Sequence, residues 1–169
     1  SNIFIEKPLS INLKNLDKLL AIQNQYKINI HVGYNFKFHP LVNKVSQIIN
    51  NKELGKIINS ISYFGEFIPF AHKYENFRKS HYTDKLDGGA TLGFCHNINL
   101  IIYFHKKIKK ILYRKLENNF FKVKCDEVSI AILRGKNNEL ISMQNNFYSY
   151  DKSYFFIINF ERGTIKLDL

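Results

Sequence analysis

The sequence predicts an α+β fold: the end of a parallel β-sheet, followed by a predominantly antiparallel sheet with helices on one face. Three observations predict it. Residues 3–34 read strand, helix, strand, the order of a parallel crossover unit. Residues 109–169 read as consecutive strand-like runs parted by short turns, the pattern of an antiparallel meander. Between them, helical periodicity and a long polar–aromatic loop keep helices and strands in separate stretches of chain. At 169 residues and 45% hydrophobic, the chain suits one cored domain, or one domain and a piece of another.

The elements follow in order. Ile3-Phe4-Ile5 is a short β-branched and aromatic strand stopped by Pro8. Ser10 stands where an N-cap belongs, and Leu13, Leu16, Leu19, Leu20 and Gln23 space a helix to about Tyr26. Lys27 to Tyr34 is the second strand. Two strands are too few to stand alone, so this part reads as the tail of a larger parallel sheet. Pro40 opens a helix at a position that tolerates its missing N–H; Leu41, Val45, Ile48 and Ile49 mark its apolar face, and Gly55 is its expected C-terminal cap. Lys56 to Phe67 alternates like a strand. Ile68 to Asp87 is irregular, and long loops of this kind are functional or disordered. Gly89 to His105 is helical. Lys109–Leu116, Val123–Leu133, Leu140–Tyr150 and Tyr154–Leu169 are four strand-like runs, three of them separated by turn residues at 135–138 and 150–153.

The net charge of +11 raises a nucleic-acid reading, yet 21 of the 25 basic residues are Lys and only Arg78, Arg114, Arg134 and Arg162 carry a guanidinium. Base-edge readers lean on the Arg fork. The abundance of Lys, Asn, Ile, Tyr and Phe is explained by AT-rich codons. Nucleic acid is therefore not the expected partner. The densest basic run, Lys106-Lys107-Ile108-Lys109-Lys110, suits a solvated helix end or a strand with one wet face. A preference for anionic substrates is compatible with the charge. No run of 18 apolar residues spans a membrane, and the first residues lack the features of a signal peptide. A chain that opens in mid-strand without Met reads as trimmed. Cys95 and Cys125 have neither metal nor redox spacing, so no metal site is expected and a reducing, cytoplasmic setting is the default.

Three short segments carry candidate chemistry. Glu6-Lys7-Pro8 ends a parallel strand, where ligands of open sheets bind; Lys7 is either a proton donor and acceptor there or an ordinary lysine before a turn. Gly33-Tyr34-Asn35-Phe36-Lys37-Phe38-His39-Pro40 joins a strand end to a helix start, where Asn35 and Lys37 either point at a ligand or belong to a plain connection. Gly88-Gly89 precedes Gly93, His96 and Asn99 at three-residue helical steps. His96 there is a proton carrier near neutral pH or a hydrogen-bonded core residue.

Taken as an ordered set, EKP at a strand end, GYNFKFHP after a strand, and a double glycine before HNIN on a helix resemble the glucose–fructose oxidoreductase/inositol dehydrogenase family, Gfo/Idh/MocA. The resemblance runs over nearly the whole chain. The loop FIPFAHKYENFRKS at 67–80 narrows it to members tied to bacterial surface-sugar pathways. The resemblance implies a Rossmann-type remnant over residues 1–36 and an α+β substrate-binding and dimerisation domain over 37–169. It implies Lys7 and His96 as catalytic residues. Asn35, Lys37, Tyr74, Arg78, Lys79 and Asn99 become substrate-side residues, and Glu6, Lys7 and Pro8 border the cofactor, with the peptide before Pro8 often cis in the family. It implies NAD or NADP, a sugar or nucleotide-sugar substrate, and self-association through the open sheet face.

The chain departs from the family's pattern in four ways. Gly93 and Asn99 stand where the family usually has Asp, and Asn hydrogen-bonds without supplying charge. Lys37 replaces an Arg and loses its fork. No GxGxxG occurs among the eight glycines, so the phosphate-binding turn of the cofactor half is missing. The chain stops at GTIKLDL, where the family usually continues. The expectation is a fragment that binds no cofactor and is silent alone, with a separate N-terminal chain as one source of the missing half. The rival expectation is a non-catalytic dimerisation or binding module.

Overall fold

The computed structural model describes residues 2–71, 74–117 and 120–169. The chain forms two compact units, Ser1–Asn35 and Phe36–Leu169.

In the first unit, β1 (Ile3–Ile5) pairs in parallel with β2 (Ile30–Val32), and α1 (Leu16–Tyr26) is the crossover between them. Parallel strands need such a crossover, because a tight turn reverses direction. Both ends of the crossover differ from expectation. Ser10 does not cap α1. Its hydroxyl bonds Asn12 in a local turn, and the helix starts after Asn15, which has φ 64° and gives no side-chain cap. Leu13 therefore precedes the helix and is exposed. Lys27, at φ 48°, ends α1 in the left-handed region, so β2 begins three residues later than the run KINIHVGY suggests.

In the second unit, α2 (Pro40–Asn50) starts under a cap from His39, whose Nδ1 accepts from the Leu41 N–H at 3.3 Å. Its buried face is Val42, Val45 and Ser46 rather than the predicted Leu41, which is half exposed. The helix closes at Asn51, so Gly55 is not its cap; Gly55 has φ 82° and sits in the next turn because a Cβ there would strike the Glu161 carboxylate. The remaining elements are β3 (Ile57–Gly65), α3 (Ile68–Ala71), α4 (Gly89–Gly93), α5 (Cys95–His105), β4 (Lys110–Glu117), β5 (Asp126–Arg134), β6 (Leu140–Asn146), β7 (Ser153–Phe160) and β8 (Gly163–Asp168).

The six strands form one sheet in the order β4-β5-β6-β3-β7-β8. All neighbours are antiparallel except β3 and β6, which run parallel from Asn59↔Leu140 to Gly65↔Asn146. The expected meander is thus interrupted: β3 inserts between β6 and β7, and the chain after β6 crosses over it. The expected last run, Tyr154–Leu169, is two strands folded at Glu161–Arg162. Glu161 accepts the Lys56 N–H at 2.9 Å, and Arg162 donates to the Lys52 and Glu53 carbonyls, which pins this hairpin to the turn before β3.

One sheet face carries the core. Leu100, Ile101 and Phe104 of α5 and Val42 and Val45 of α2 are buried with Phe64, Ala131, Ile141, Met143, Phe156 and Ile158. The opposite face stays bare, with Ile61 at 43%, Ile130 at 44% and Ile132 at 42% exposure. No helix among the described residues is long and apolar enough to cross a membrane.

Candidate active site

The first turn of α5 is fixed from below. Asn97 is fully buried; its amide nitrogen donates to Asn145 Oδ1 at 2.7 Å, and its carbonyl oxygen accepts from the Ser62 hydroxyl. Buried amides left without partners are costly, so these bonds to β3 and β6 fix the start of the helix. They also fix the rotation of the next residue outward, His96. Its imidazole is half-buried and stacks on Phe36 at 4.7 Å between centroids. Phe36 in turn meets Phe64 and Tyr154, each at 6.1 Å, and Tyr154 stacks on Phe64 at 4.6 Å. The result is an aromatic wall beside an imidazole.

Behind that wall lies a charged group that the sequence reading did not single out. Tyr154 donates its hydroxyl to Glu66 at 2.7 Å, and Lys152 approaches the same carboxylate at 3.5 Å. Burial, then the neighbouring Glu66 carboxylate, pushes the Tyr154 phenol far up, so it donates and does not ionise. Only the turn residues around Asp151 were legible beforehand; the pairing of β7 with β3 is what brings Tyr154 level with Phe64.

The helix expected from Gly89 to His105 is broken at Phe94, with φ −99° and ψ 32°, so Gly93 does not continue the face of His96 and Asn99. The space where a side chain at 93 would sit is filled: a Cβ there lies 2.9 Å from the Tyr82 ring. The double glycine also has a structural cause. Gly89 has φ 96° and a Cβ would strike the Asp126 carboxylate. That carboxylate accepts the Thr91 N–H and hydroxyl, both at 2.8 Å, and so caps α4 from β5.

The other predicted residues are distributed as follows. In the first unit, Glu6, Lys7 and Pro8 follow β1, and the Lys7–Pro8 peptide is cis. The Gly33 N–H donates to Ile5 at 2.8 Å, and a Cβ on Gly33 would touch Phe4 and the Glu6 carboxylate. The carboxyl ends of two parallel strands thus lie side by side, the place where open parallel sheets take their ligands; Asn35, exposed, closes this unit. In the second unit, Lys37 is half-buried with its ammonium 5.2 Å over the Phe38 ring. Asn99 is half-buried on α5 and Tyr74 is almost fully exposed. Arg78 and Lys79 line one cavity of about 370 Å³. His72 and Lys73 of the same loop lie outside the described residues. A carboxylate, a lysine and a cis proline stand in sequence at the end of β1; the sequence contains no GxGxxG phosphate-binding turn. Among the described residues no cluster of His, Cys, Asp or Glu is arranged to hold a metal ion.

Residues 42–166 match the family model of the GFO/IDH/MocA C-terminal domain. The chain belongs to the GFO/IDH/MocA family. Among curated proteins, the uncharacterized oxidoreductase YrbE of Bacillus subtilis (strain 168) is 35% identical over 54 residues, 32% of this chain and 16% of YrbE. Among solved structures, the WlbA dehydrogenase of Bordetella pertussis, in complex with NADH and UDP-GlcNAcA, superposes with a TM-score of 0.85 at 14% identity, covering 99% of this chain and 49% of its own. An NAD binding oxidoreductase of Klebsiella pneumoniae gives 0.87 at 15%, covering 99% and 48%. The scyllo-inositol dehydrogenase of Lactobacillus casei gives 0.79 at 16%, covering 98% and 48%. At these identities the likeness shows the fold. The chain spans about half the length of these GFO/IDH/MocA-like structures, and 16% of YrbE.

Proposed function

We propose that this chain is the substrate-side part of an NAD(P)-dependent oxidoreductase acting at a carbon of a sugar or nucleotide-sugar, as in surface-polysaccharide synthesis. The observation that carries the reading is His96, set on a helix start that Asn97 anchors and laid against Phe36, within a domain of this family. In this reading residues 1–36 end the cofactor domain and residues 37–169 form the substrate domain. Lys7 exchanges the proton of the reacting hydroxyl; His96 orients that hydroxyl and assists. Asn35, Lys37, Tyr74, Arg78, Lys79 and Asn99 line the substrate side, and Glu6, Lys7 and Pro8 border the nicotinamide. The dinucleotide, when bound, takes or gives the hydride, and the protein supplies position and charge. Its phosphate-binding turn has to come from residues outside these 169, on the same polypeptide or on a separate chain, so these residues alone are silent. With both cysteines buried and neither in a disulfide, a reducing cytoplasm suits the protein.

The test joins the chain to a GxGxxG-bearing half and follows nicotinamide absorbance with sugar and nucleotide-sugar substrates. Lys7→Met and His96→Ala are each expected to lower kcat by roughly 10²–10⁴-fold with unchanged circular dichroism. Full turnover in both variants sinks the reading. Saturable micromolar NADH binding by the 169 residues alone overturns their proposed silence.

A second observation favours self-association. The bare face of the sheet presents Leu112 and Leu116 of β4, Ile130 and Ile132 of β5 and, beyond β6, Ile61 of β3, with Leu112 and Ile132 across from one another in register. Contiguous exposed apolar surface marks an interface, and we propose a dimer through this face. A non-catalytic assembly module would keep the same face, and the Lys7 and His96 variants separate the two.

A further inference from the structure

The 370 Å³ cavity holding Arg78 and Lys79 is ringed by three further cations, Lys85, Lys122 and Lys124, and by a single acid, Asp84. The cations come from two separate stretches, the turns at 77–85 and the approach to β5. All five are exposed, whereas Ser80 and Thr83 on the same lining are buried. None of the five makes an ion pair among the described residues. The Asp84 carboxylate is turned to its own backbone, accepting the Leu86 N–H at 2.7 Å. Thr83 gives its hydroxyl to the Phe77 and Ser80 carbonyls; Ser80 accepts from the Tyr82 N–H and keeps its own proton to donate. Lys122 holds φ 53°, a left-handed backbone that a side chain of its kind rarely adopts.

Five like charges around one concavity repel one another, and among the described residues Asp84 is the one acid in the lining and none of the five is ion-paired. An open concavity of this size, ringed by exposed cations, suits a small anionic ligand rather than a polyanion, which would need an extended basic stripe. One carboxylate cannot balance five cations; adjacent phosphates do so better, and lysine serves phosphate as a point charge. We infer that this cavity binds the diphosphate of a nucleotide-linked substrate. The turn that supplies Ser80 and Thr83 also carries Tyr82, which packs on Gly93 just before α5. The diphosphate is thereby held near the helix of His96. Only the identity of the molecule that brings the diphosphate rests on the oxidoreductase reading.

The second unit contains its own control. A smaller cleft of about 210 Å³ is lined by Lys52, Lys56, Lys106 and Lys136. There the Lys106 ammonium is already held by the Tyr103 carbonyl at 3.1 Å and lies 5.4 Å from the Tyr103 ring centroid.

Calorimetric titration of the 169-residue chain with inorganic pyrophosphate at fixed ionic strength tests the assignment. Lys122→Glu with Lys124→Glu is expected to weaken binding at least about tenfold, and Lys79→Glu with Lys85→Glu to do the same, a loss of about 1.4 kcal/mol. Lys52→Glu with Lys136→Glu, the same change in net charge, is expected to leave it within about twofold. Thermal melting of each variant confirms that these surface changes leave the fold intact. Equal weakening by the control pair, or no saturable pyrophosphate binding, overturns the site. Orthophosphate binding as tightly as pyrophosphate overturns the diphosphate. These titrations involve neither nicotinamide nor turnover, so they can fail while the test at Lys7 and His96 succeeds, and the reverse.

Discussion

The two ends of α5 each carry a histidine, and the two residues have opposite fates. His96, in the first turn, is half-buried and stacks on Phe36, with its amide neighbour Asn97 making the bonds to the sheet. His105, in the last turn, is 2% exposed and fully engaged: Nδ1 meets Glu139 at 3.2 Å and Nε2 meets the Ser60 hydroxyl at 2.9 Å. Burial pulls the His105 pKa below its ordinary value, outweighing the upward pull of Glu139. The imidazole is therefore neutral at neutral pH, with Nδ1–H donating to the carboxylate and Nε2 accepting from Ser60. A Ser–His–Glu chain of this kind resembles a nucleophile relay in its partners, but Ser60 is 2% exposed. It is a structural bracket between α5, β3 and the β5–β6 turn. The lesson is that a histidine's role on this helix is set by which partners the sheet presents beneath it.

The contrast can be broken from the buried end. Glu139→Ala leaves His105 and the Asn137 N–H, which Glu139 accepts at 2.8 Å, without their partner. A loss of about 2–4 kcal/mol in urea unfolding is expected. A loss under about 0.5 kcal/mol would show that the bracket contributes little. His96→Ala, removing one partly exposed aromatic stack, should lower stability by only about 0.5–1.5 kcal/mol. If it destabilises as much as Glu139→Ala does, His96 is a core residue and the asymmetry of the helix is lost.

Asn97→Ala is expected to fall between them. It strands Ser62 and Asn145 in the interior at about 1–3 kcal/mol. In the joined enzyme it should also lower turnover, because the start of α5 is no longer anchored under His96. Loss of stability with unchanged turnover would separate the anchor from the chemistry.

Acid should weaken the buried end. The folded His105 pKa is lowered, so below the unfolded pKa of about 6.5 the unfolded chain binds more protons. The contribution is complete above that pH and is lost as pH falls from 6.5 toward the lowered folded value, with a slope of up to about 1.4 kcal/mol per pH unit. Urea midpoints across that range should flatten in His105→Phe relative to the parent chain. An unchanged slope in the variant would assign the acid sensitivity to other groups.

The smallest expected effect concerns the thiols. Burial, followed by the neighbouring Asp126 and Glu127 carboxylates, raises the Cys125 pKa to about 12. The thiol should resist iodoacetamide near pH 8, because the reactive thiolate is absent. Mass spectrometry of the folded chain checks this, and labelling as fast as in urea would contradict the buried placement.

Much of the fold was legible because local pattern carries it. The crossover order of residues 3–34, the proline opening α2 and the alternation of Ile57–Gly65 each follow from backbone preference and the period of side-chain burial. Of the candidate site, the ordered EKP, GYNFKFHP and HNIN segments were legible as short chemical strings. The position of β3 between β6 and β7, the break at Phe94 and the cap supplied to α4 by Asp126 were not. The strand position and the cap depend on partners more than 20 residues away, the break lies where Tyr82 packs on Gly93, and no local period encodes any of them.

The sequence by itself determined the order of most helices and strands and which residue types are available for proton transfer and anion binding. Those properties reside in the backbone and the side chain alone. Tertiary structure decided that Asn97 rather than His96 enters the core, that His105 is spent on Ser60 and Glu139, that Tyr82 fills the space at Gly93, and that five cations from two stretches ring one cavity. The physical reason is desolvation: whether a polar group is free or committed depends on what is packed against it once water has left, and that is a property of the assembled sheet and helix.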